Sequence, residues 1–473
     1  MKGGITMDKE TSIAKQKKEA LLSNPKHAVL RMEDAELAAC DAFCEGYKTF
    51  LDKAKTEREA VKFVEAALIE HGYQKFIPGM ELKAGDRIYV NNRGKAIIMA
   101  TIGTAPITEG VRLNAAHIDS PRLDMKQHPL YEDTEMAFFK THYYGGIKKY
   151  QWTAMPLSLH GVVIRKDGTS VEVCIGEDEN DPVFCITDLL PHLAANQMKR
   201  TLSEGIKGEE LNIVVGSRPF KDDSESNLVK LAIMDILNEK YGIIEDDFIS
   251  AELEAVPAFK AKDIGFDRSM IGAYGHDDRV CAYTAFMAAI ESKTPVHTGV
   301  TILTDKEETG SDGNTGLCSS YLKYFLYDLA ESFGANGRAV MSASQCLSAD
   351  VNAAYDPTFS DVLERSNCAY FNRGVCVTKF TGARGKSGTS DASAEFVGTI
   401  RRLLDENNVI WQTGELGKVD MGGGGTVAMY VANLNIDTID VGVPVLSMHA
   451  PYEMVAKTDV YAAYRAFAVF LES

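Results

Sequence analysis

The chain has 473 residues, of which 45% are hydrophobic and 25% are charged, and its formal net charge is −17. This composition is that of a soluble globular protein, and the length exceeds what one compact core usually holds, so we expect two domains. The negative charge argues against nucleic acid and against an anionic membrane surface as partners, because both require basic patches.

The amino-terminal segment has no apolar core that could serve as a signal peptide, and no apolar run is long enough to cross a bilayer. The nine cysteines are an odd number without paired C-x-x-C spacing, a pattern typical of reduced thiols. Cys40 and Cys44 lie four apart in a helical stretch, but no nearby residue completes a metal site. We therefore expect a cytoplasmic protein.

The first half of the chain changes character at about residue 126. Residues 8–75 have helical spacing, 86–90 and 95–101 are predicted strands, and 111–116 is a further strand that runs into His117 and Asp119. From 126 to 265 the pattern becomes rich in strands, at 162–165 and 171–175, with one helix at 228–241. We interpret 126–265 as an inserted domain, because candidate site residues lie on both sides of it and few lie within it.

The second half alternates between helices and strands. The pattern predicts helices at 280–292, 316–333, 390–406 and 455–472, strands at 300–303 and 436–445, and an apolar segment at 339–347. Such alternation indicates an α/β sheet with helices on both faces. In these folds ligands bind at the carboxyl ends of the strands.

Polar residues with metal-binding chemistry follow apolar segments at five places. They are His117 with Asp119, Asp277 with Asp278, Glu307 with Glu308, Asp350, and His449. Two imidazoles and three carboxylates suit divalent ions such as Zn²⁺, Co²⁺ or Mn²⁺. Two ions that share one bridging carboxylate need about two further ligands each, which this set supplies. An additional glutamate could then take a proton from water, and Asp119 is close enough to orient the His117 ring.

Each position also has a structural interpretation. A histidine at a strand end is often structural, Asp277 and Asp278 could cap the helix that follows them, and Asp350 could be a turn residue. The occurrence of all five positions at segment ends in one chain favours the metal site.

Five sequence runs resemble one known family. They are AAHIDSPRLD (115–124), GHDDRVCAYTAF (275–286), DKEETGSDGNTG (305–316), LSADVNAAYDP (347–357) and LSMHAPYEM (446–454). In this order they resemble the M18 metallo-aminopeptidases, also called aspartyl aminopeptidases or aminopeptidase I, from about residue 20 to the end of the chain. The M42 and M28 peptidases share the use of paired metals but fit less well around HIDSPRLD and the long insert.

The resemblance implies two zinc ions per subunit. His117 and Asp350 would hold one ion, Glu308 and His449 would hold the other, and Asp277 would bridge them.

It also implies that Glu307 is the general base of peptide hydrolysis and that Asp119 orients His117. The fold would be an α/β catalytic domain with a mostly parallel central sheet flanked by helices, formed by 1–125 and 266–473. A β-rich dimerisation domain, 126–265, would interrupt it, and the dimers would assemble into a homo-dodecamer.

Substrate choice depends on basic residues outside the metal site. A peptide with an acidic first residue would need a cation, and Lys379, Arg384 and Lys386 are candidates, with Lys379 matching the substrate-binding lysine of the family best. A solvated basic loop is the alternative for the other two. His192 aligns with a histidine that the family donates to a neighbouring active site. Ala353 stands where eukaryotic members have a histidine, which leaves a broader or neutral preference open.

Three functions remain open from the sequence. The first is a dinuclear zinc aminopeptidase acting on peptides, and the second is a related dinuclear amidohydrolase, or deacylase, acting on acylated amino acids. The third is a catalytically inactive oligomeric binding protein of the same fold. The presence of Glu307 together with all five ligand positions argues against the third.

Overall fold

The computed structural model describes residues 12–222 and 224–473, and the part of the helical prediction that falls on residues 8–11 lies outside them. The described residues form a mixed α/β fold with three sheets of nine, seven and five strands. Among these residues, no helix is both long and apolar enough to cross a membrane.

The described helices surround the sheets and connect their strands. They are α1 (Ile13–Leu21), α2 (Asp34–Lys53), α3 (Glu57–Glu70), α4 (Leu228–Tyr241), α5 (His276–Glu291), α6 (Tyr321–Glu331), α7 (Gly337–Ala343), α8 (Ala394–Glu406), α9 (Ala428–Ala432) and α10 (Lys457–Glu472).

The strands are numbered along the chain. They are β1 (Gln74–Lys75), β2 (Arg87–Asn92), β3 (Ala96–Thr101), β4 (Val111–His117), β5 (Arg122–Asp133), β6 (Met136–Tyr144), β7 (Leu157–Ile164), β8 (Ser170–Ile175), β9 (Cys185–Ile186), β10 (Asn212–Gly216), β11 (Ala251–Pro257), β12 (Lys262–Ile264), β13 (Met270–Ala273), β14 (Thr298–Thr304), β15 (Gln345–Ser348), β16 (Asn352–Ala353), β17 (Val375–Thr378), β18 (Trp411–Thr413), β19 (Asp437–Gly442), β20 (Pro444–Leu446) and β21 (Glu453–Ala456).

The nine-stranded sheet has the order β1-β2-β3-β14-β4-β15-β19-β17-β18. Its centre, β14-β4-β15-β19, is parallel, while β3 and β17 run antiparallel to their central neighbours. Every residue of β3 and β14 is buried. Such continuous burial is expected of strands covered on both faces by helices, so their sequences are apolar rather than alternating. The carboxyl ends of β4, β14 and β15 therefore lie at one edge.

Two apolar cores cover the faces of this sheet. One is built from residues of α2, α3, α5, α8 and α10, and the other includes residues of α6, α7 and α9. Burial of α5 is nearly complete, because it packs between α10, α2 and β4. This packing fixes the amino-terminal end of α5 beside the carboxyl end of β4.

The seven-stranded sheet is antiparallel throughout and comprises residues 122–257 of the chain. It has its own apolar core, in which Trp152 is fully buried, and α4 packs against β5, β6 and β10. The predicted strands at 162–165 and 171–175 and the helix at 228–241 correspond to β7, β8 and α4. The first strand begins at Arg122, four residues before the predicted start of the insert.

The five-stranded sheet, β12-β13-β21-β20-β16, corrects two sequence predictions. The single strand predicted at 436–445 is wrong, because the chain leaves the nine-stranded sheet after Gly442 and pairs again as β20 with β16. The closing helix begins at Lys457 rather than 455, since Val455 and Ala456 pair with β13. Apolar periodicity does not tell which neighbour a strand will have, so these divisions are absent from the local pattern.

Two further predicted segments have different bounds in the structure. The helix predicted at 316–333 begins at Tyr321, after a loop in which Gly310, Gly313 and Ser311 adopt positive φ. The apolar segment 339–347 divides into the end of α7 and strand β15.

Candidate metal centre

Three neighbouring strands of the nine-stranded sheet place predicted site residues at one edge. His117 is the last residue of β4 and lies opposite Thr304, the last residue of the parallel strand β14. Glu307 and Glu308 follow β14 within four residues, and Asp350 follows β15 by two. Parallel register therefore brings four of the predicted residues together.

The five-stranded sheet supplies the other two. Asp277 follows β13 at the start of α5, and His449 lies in the turn between β20 and β21. Because β13 pairs with β21, these two positions are held beside each other. The metal-binding residues predicted from the sequence thus converge from two sheets.

Asp277 lies between the two histidines. Its Oδ1 is 3.1 Å from Nε2 of His117, and its Oδ2 is 3.2 Å from Nε2 of His449. Each imidazole therefore contacts a different oxygen of the same carboxylate. The side chain of His117 is 1% exposed and that of His449 is 36% exposed, so the cluster opens to solvent on the His449 side.

The remaining carboxylates divide between the two histidines. Asp350 Oδ1 lies 3.9 Å and Glu307 Oε2 lies 3.8 Å from Nε2 of His117. Glu308 Oε2 lies 3.6 Å from Nε2 of His449. Asp350 and Glu307 are thus beside His117, and Glu308 is beside His449.

The donor atoms fit a divalent cation. Those of His117, Asp277 and Glu308, and those of His117, Asp278 and Asp350, lie within 4.8 Å of one another. Within the described part of the chain, Glu308 Oε1 and Asp278 Oδ1 are buried and accept no hydrogen bond. Buried carboxylate oxygens without a donor are costly unless a cation or proton neutralises them.

The side chain of Asp277 is directed at the two histidines. Asp277 and Asp278 have non-helical φ and ψ at the start of α5, and Asp277 Oδ1 and Oδ2 contact the two histidines. Asp278 Oδ2 accepts a hydrogen bond from the backbone N–H of His117 at 3.3 Å.

Asp119 contacts His117 and also fixes the two glutamates. Its Oδ1 is 3.3 Å from Nδ1 of His117, whose ring nitrogen is also 3.0 Å from the backbone oxygen of Asp119. The backbone N–H groups of Glu307 and Glu308 donate to Oδ1 and Oδ2 of Asp119 at 3.1 and 3.2 Å. One buried carboxylate therefore aligns one histidine and the loop that carries both glutamates.

Sequence reasoning missed Glu453, Tyr144 and the proximity of Asp278. The carboxylate of Glu453 accepts from the backbone N–H of Asp277 at 3.1 Å and of His449 at 2.6 Å. Tyr144 donates its hydroxyl to Asp119 Oδ2 at 2.8 Å. Glu453 stands four residues after His449 in the run LSMHAPYEM, which is the signal that could have indicated it.

Burial and mutual contact shift the acid–base behaviour of the cluster. Burial raises the pKa of Glu307 to about 7, with His117 opposing the rise and Asp277 adding to it. Burial lowers the pKa of His449, but the hydrogen bond to Asp277 and the charge of Glu308 outweigh this and bring it to about 10. Burial would raise the pKa of Asp277, but hydrogen bonds from both histidines hold it well below its ordinary value. Protons and a cation would therefore compete for the donor atoms of this cluster.

The predicted substrate residues lie outside this cluster. Lys379 follows Thr378, whose Oγ1 accepts a hydrogen bond from Nδ2 of Asn352 at 2.7 Å. The ammonium groups of Lys379 and Lys386 both contact the carboxylate of Asp391, and Lys386 lies 3.9 Å above the ring of Phe380. Arg384 is in the same exposed loop, with positive φ. His192 is exposed in the segment that follows β9.

Comparison with known proteins gives consistent results. The family model described as aminopeptidase I zinc metalloprotease (M18) matches residues 50–471. A relative named probable M18 family aminopeptidase 1, from Clostridium acetobutylicum, is 49% identical over 461 residues, which are 96% of this chain and 99% of the relative. The crystal structure of an M18-family aminopeptidase from Thermotoga maritima has a TM-score of 0.91 and 43% identity, covering 95% of this chain and 99% of that one.

A distant fold neighbour is the mApe1 dodecamer of S. cerevisiae. Its TM-score is 0.72 at 20% identity, covering 92% of this chain and 97% of that chain. At this identity the likeness concerns the fold. The family match and the close relatives together show that the chain belongs to the M18 family of zinc metalloproteases, and that it is a hydrolase of the aminopeptidase class.

Proposed function

We propose that the chain is a dinuclear zinc aminopeptidase that removes amino-terminal residues from peptides. His117 and Asp350 would hold one ion, Glu308 and His449 the other, and Asp277 would bridge them. The observation that carries this proposal is the position of Asp277, with one carboxylate oxygen toward each imidazole at 3.1 and 3.2 Å. The same donor set accommodates Co²⁺ and Mn²⁺.

Zinc ions bound in this cluster would lower the pKa of a water molecule and polarise the carbonyl of the scissile bond. The carboxylate of Glu307 would accept the proton of the attacking water and return it to the leaving amine. Glu307 suits this task because its backbone is fixed by Asp119 while its side chain is 17% exposed and faces the cluster. The buried pair of Asp119 and His117 keeps the ring from turning.

The proposed metal pair would also explain action at a free amino terminus. A neutral α-amine has a lone pair that a bound zinc ion could accept, whereas the nitrogen of an acylated amine is delocalised into its carbonyl and offers no such lone pair. We therefore infer exopeptidase action on peptides with unblocked amino termini.

The preference for the first residue is proposed from the loop that carries Lys379 and Lys386. These two cations share the single carboxylate of Asp391, and Arg384 lies in the same loop, so the loop keeps a net positive charge. Acidic first residues should therefore be favoured over basic ones, and Ala353 leaves room for neutral ones.

We further propose a cytoplasmic homo-oligomer in which residues 126–265 form an inserted dimerisation domain between catalytic segments 1–125 and 266–473. The separate core of the seven-stranded sheet and the described yeast dodecamer support this proposal. His192 lies on that sheet's exposed loops, where it could reach a neighbouring subunit.

The first experiment measures hydrolysis of Asp-, Glu-, Leu- and Lys-p-nitroanilides and their N-acetyl forms by metal-free protein titrated with Zn²⁺, Co²⁺ or Mn²⁺. The proposal expects metal-dependent release from the free-amine substrates only. Release of acetate from the N-acetyl forms, without release of p-nitroaniline, would instead indicate a deacylase. Stoichiometric metal binding without any turnover would indicate a binding protein.

The role of Glu307 is tested by Glu307→Gln. The amide cannot accept a proton, so kcat should fall by about 10²- to 10⁴-fold while two zinc ions remain bound. Asp312→Asn, at an exposed position of the same loop, is the matched control and should keep full activity. Unchanged kcat in Glu307→Gln would refute its role as general base.

A further inference from the structure

The end of β6 and the turn after it belong to the seven-stranded sheet, but they contact Asp119, the partner of His117, and His449 itself. Tyr144, the last residue of β6, donates its hydroxyl to Asp119 Oδ2 at 2.8 Å. Two residues later, the backbone oxygen of Gly146 lies 2.8 Å from Nδ1 of His449. Because a carbonyl only accepts, this contact places the hydrogen of the neutral His449 ring on Nδ1 and leaves Nε2 as a donor atom for a metal.

The Tyr144 ring is itself held in place. The guanidinium of Arg122 lies 3.9 Å from the ring centroid, which is cation–π distance. Three carboxylates fix that guanidinium, namely Asp124 at 2.8 Å, Glu254 at 3.2 Å and Glu57 at 3.3 Å. Glu57 begins α3, whereas Glu254 lies on β11, so this network joins the two larger sheet systems.

Asp119 transmits the position of Tyr144 to the metal cluster. Its two oxygens receive the N–H groups of Glu307 and Glu308, and Oδ1 also approaches His117. The Tyr144 hydroxyl is the side-chain donor on Oδ2. Without it, Oδ2 would lose one of the two donors that hold it, the other being the N–H of Glu308.

Gly145 and Gly146 allow the turn to come this close. A Cβ atom at Gly145, where φ is +72°, would lie 3.2 Å from Oε2 and 3.3 Å from Cβ of Glu308. A Cβ atom at Gly146 would lie 3.2 Å from Nδ1 of His449. Side chains at these positions would press on two candidate zinc ligands.

We propose that Tyr144 and the backbone carbonyl of Gly146 are positioning groups for the metal centre, through which the seven-stranded sheet orients both histidines. Tyr144 acts on His117 through Asp119, and Gly146 acts on His449 directly. Outer partners of this kind fix the ring orientation of metal-binding histidines and tune their affinity. The inference rests on the proposed function, because it assumes zinc at His117 and His449.

The test compares Tyr144→Phe, Gly146→Ala and wild type as metal-free protein reloaded in zinc buffers of defined free concentration. Tyr144→Phe removes only the hydroxyl and keeps the ring over Arg122. In each variant the affinity for one of the two zinc ions should fall by about 10- to 100-fold. A free zinc concentration at which wild type binds two ions should then leave the variant with one. Tyr143→Phe, which alters the exposed neighbouring ring, is the matched control and should bind two ions normally.

The outcomes distinguish the positioning role of Tyr144 and Gly146 from the existence of the dinuclear site itself. Two ions bound with wild-type affinity by both Tyr144→Phe and Gly146→Ala would overturn the positioning role. Failure of wild type and Tyr143→Phe to bind two ions would instead refute the dinuclear site on which the inference depends. Thermal melting of the metal-free proteins provides the folding control, since a purely structural defect would lower stability before any zinc is added.

Discussion

At the residue scale, Glu453 shows how a buried side chain can act through the backbone. Its two carboxylate oxygens accept one hydrogen bond each from the N–H groups of Asp277, at the start of α5, and of His449, in the turn between β20 and β21. Burial raises the pKa of Glu453 to about 8, and the negative charge of Asp277 contributes to this rise. The residue thus ties the proposed bridging ligand to a proposed terminal ligand.

Replacement of Glu453 by Gln should loosen this tie. The glutamine amide has one acceptor oxygen, and its NH₂ group would face a backbone N–H, so one hydrogen bond is lost. We expect zinc affinity to fall by about 10-fold, as for other outer partners of metal ligands. Competition with a chromophoric chelator measures this, and Glu331→Gln at an exposed site on α6 is the control. Equal affinities in the two variants would contradict the role of Glu453.

Zinc binding should also depend on pH. In the metal-free protein the pKa of His449 is raised to about 10 and that of Glu307 to about 7. At neutral pH the ring of His449 is therefore protonated and Glu307 is partly protonated, and a cation bound at His449 has to displace the ring proton and repel that of Glu307. Apparent zinc affinity should therefore rise as pH increases from 6 to 9, with fewer protons released per ion at the higher pH. Calorimetric titration in buffers of different ionisation enthalpy measures this number, and a pH-independent affinity would contradict the expectation.

At the element scale, α3 and the residue before its cap carry ion pairs to the region of the seven-stranded sheet. Lys55 stands just before α3, and its ammonium group donates to Glu177 at 2.6 Å and to the backbone oxygens of Pro257 and Phe259 at 2.7 and 3.0 Å. Only 3% of its side chain is exposed. Lys62, in the second turn of α3, pairs with Glu172 of β8, but 69% of the Lys62 side chain is exposed.

Substitution of the two lysines by methionine should have unequal effects. Lys55→Met removes the buried donor of the carbonyl oxygens of Pro257 and Phe259, while Glu177 keeps His160 and Lys260 as partners. The two unpaired carbonyls and the lost ion pair should lower the free energy of unfolding by about 3 kcal/mol. Lys62→Met breaks a solvated pair and should cost less than about 1 kcal/mol. Urea denaturation of both variants against wild type checks this difference. A loss of similar size in both would mean that the Lys55 contacts do not stabilise the sheet connection.

At the scale of the whole molecule, the proposed assembly has a direct size test. Twelve copies of the 51.8-kDa chain amount to about 620 kDa, and a dimer to about 104 kDa. Light scattering coupled to size exclusion should give the larger mass. A monomer at micromolar concentration would contradict both the dodecamer and the role of residues 126–265 in dimerisation.

Features of the fold that are marked by contiguous residues could be predicted from the sequence, whereas features set by the choice of a distant neighbour could not. The strand β14 and the polar loop after it are continuous in the chain, so the change from apolar residues to Glu307 and Glu308 is visible locally. The division of 436–445 into β19 and β20 is not, because the chain stays extended while changing sheets at Val443. The pairing of Lys379 and Lys386 with Asp391 likewise depends on how one exposed loop folds back on itself.

The sequence by itself determined the alternation of strands and helices, the candidate ligands at segment ends and the family. These are properties of contiguous residues, since burial of a strand and exposure of the loop after it are written into neighbouring side chains. Only the tertiary structure decided that Asp277 lies between His117 and His449, and that Tyr144 and Glu453 support them. His117 and Asp277 are 160 residues apart and Asp277 and Glu453 are 176 apart, so their contacts exist only once the sheets have packed together.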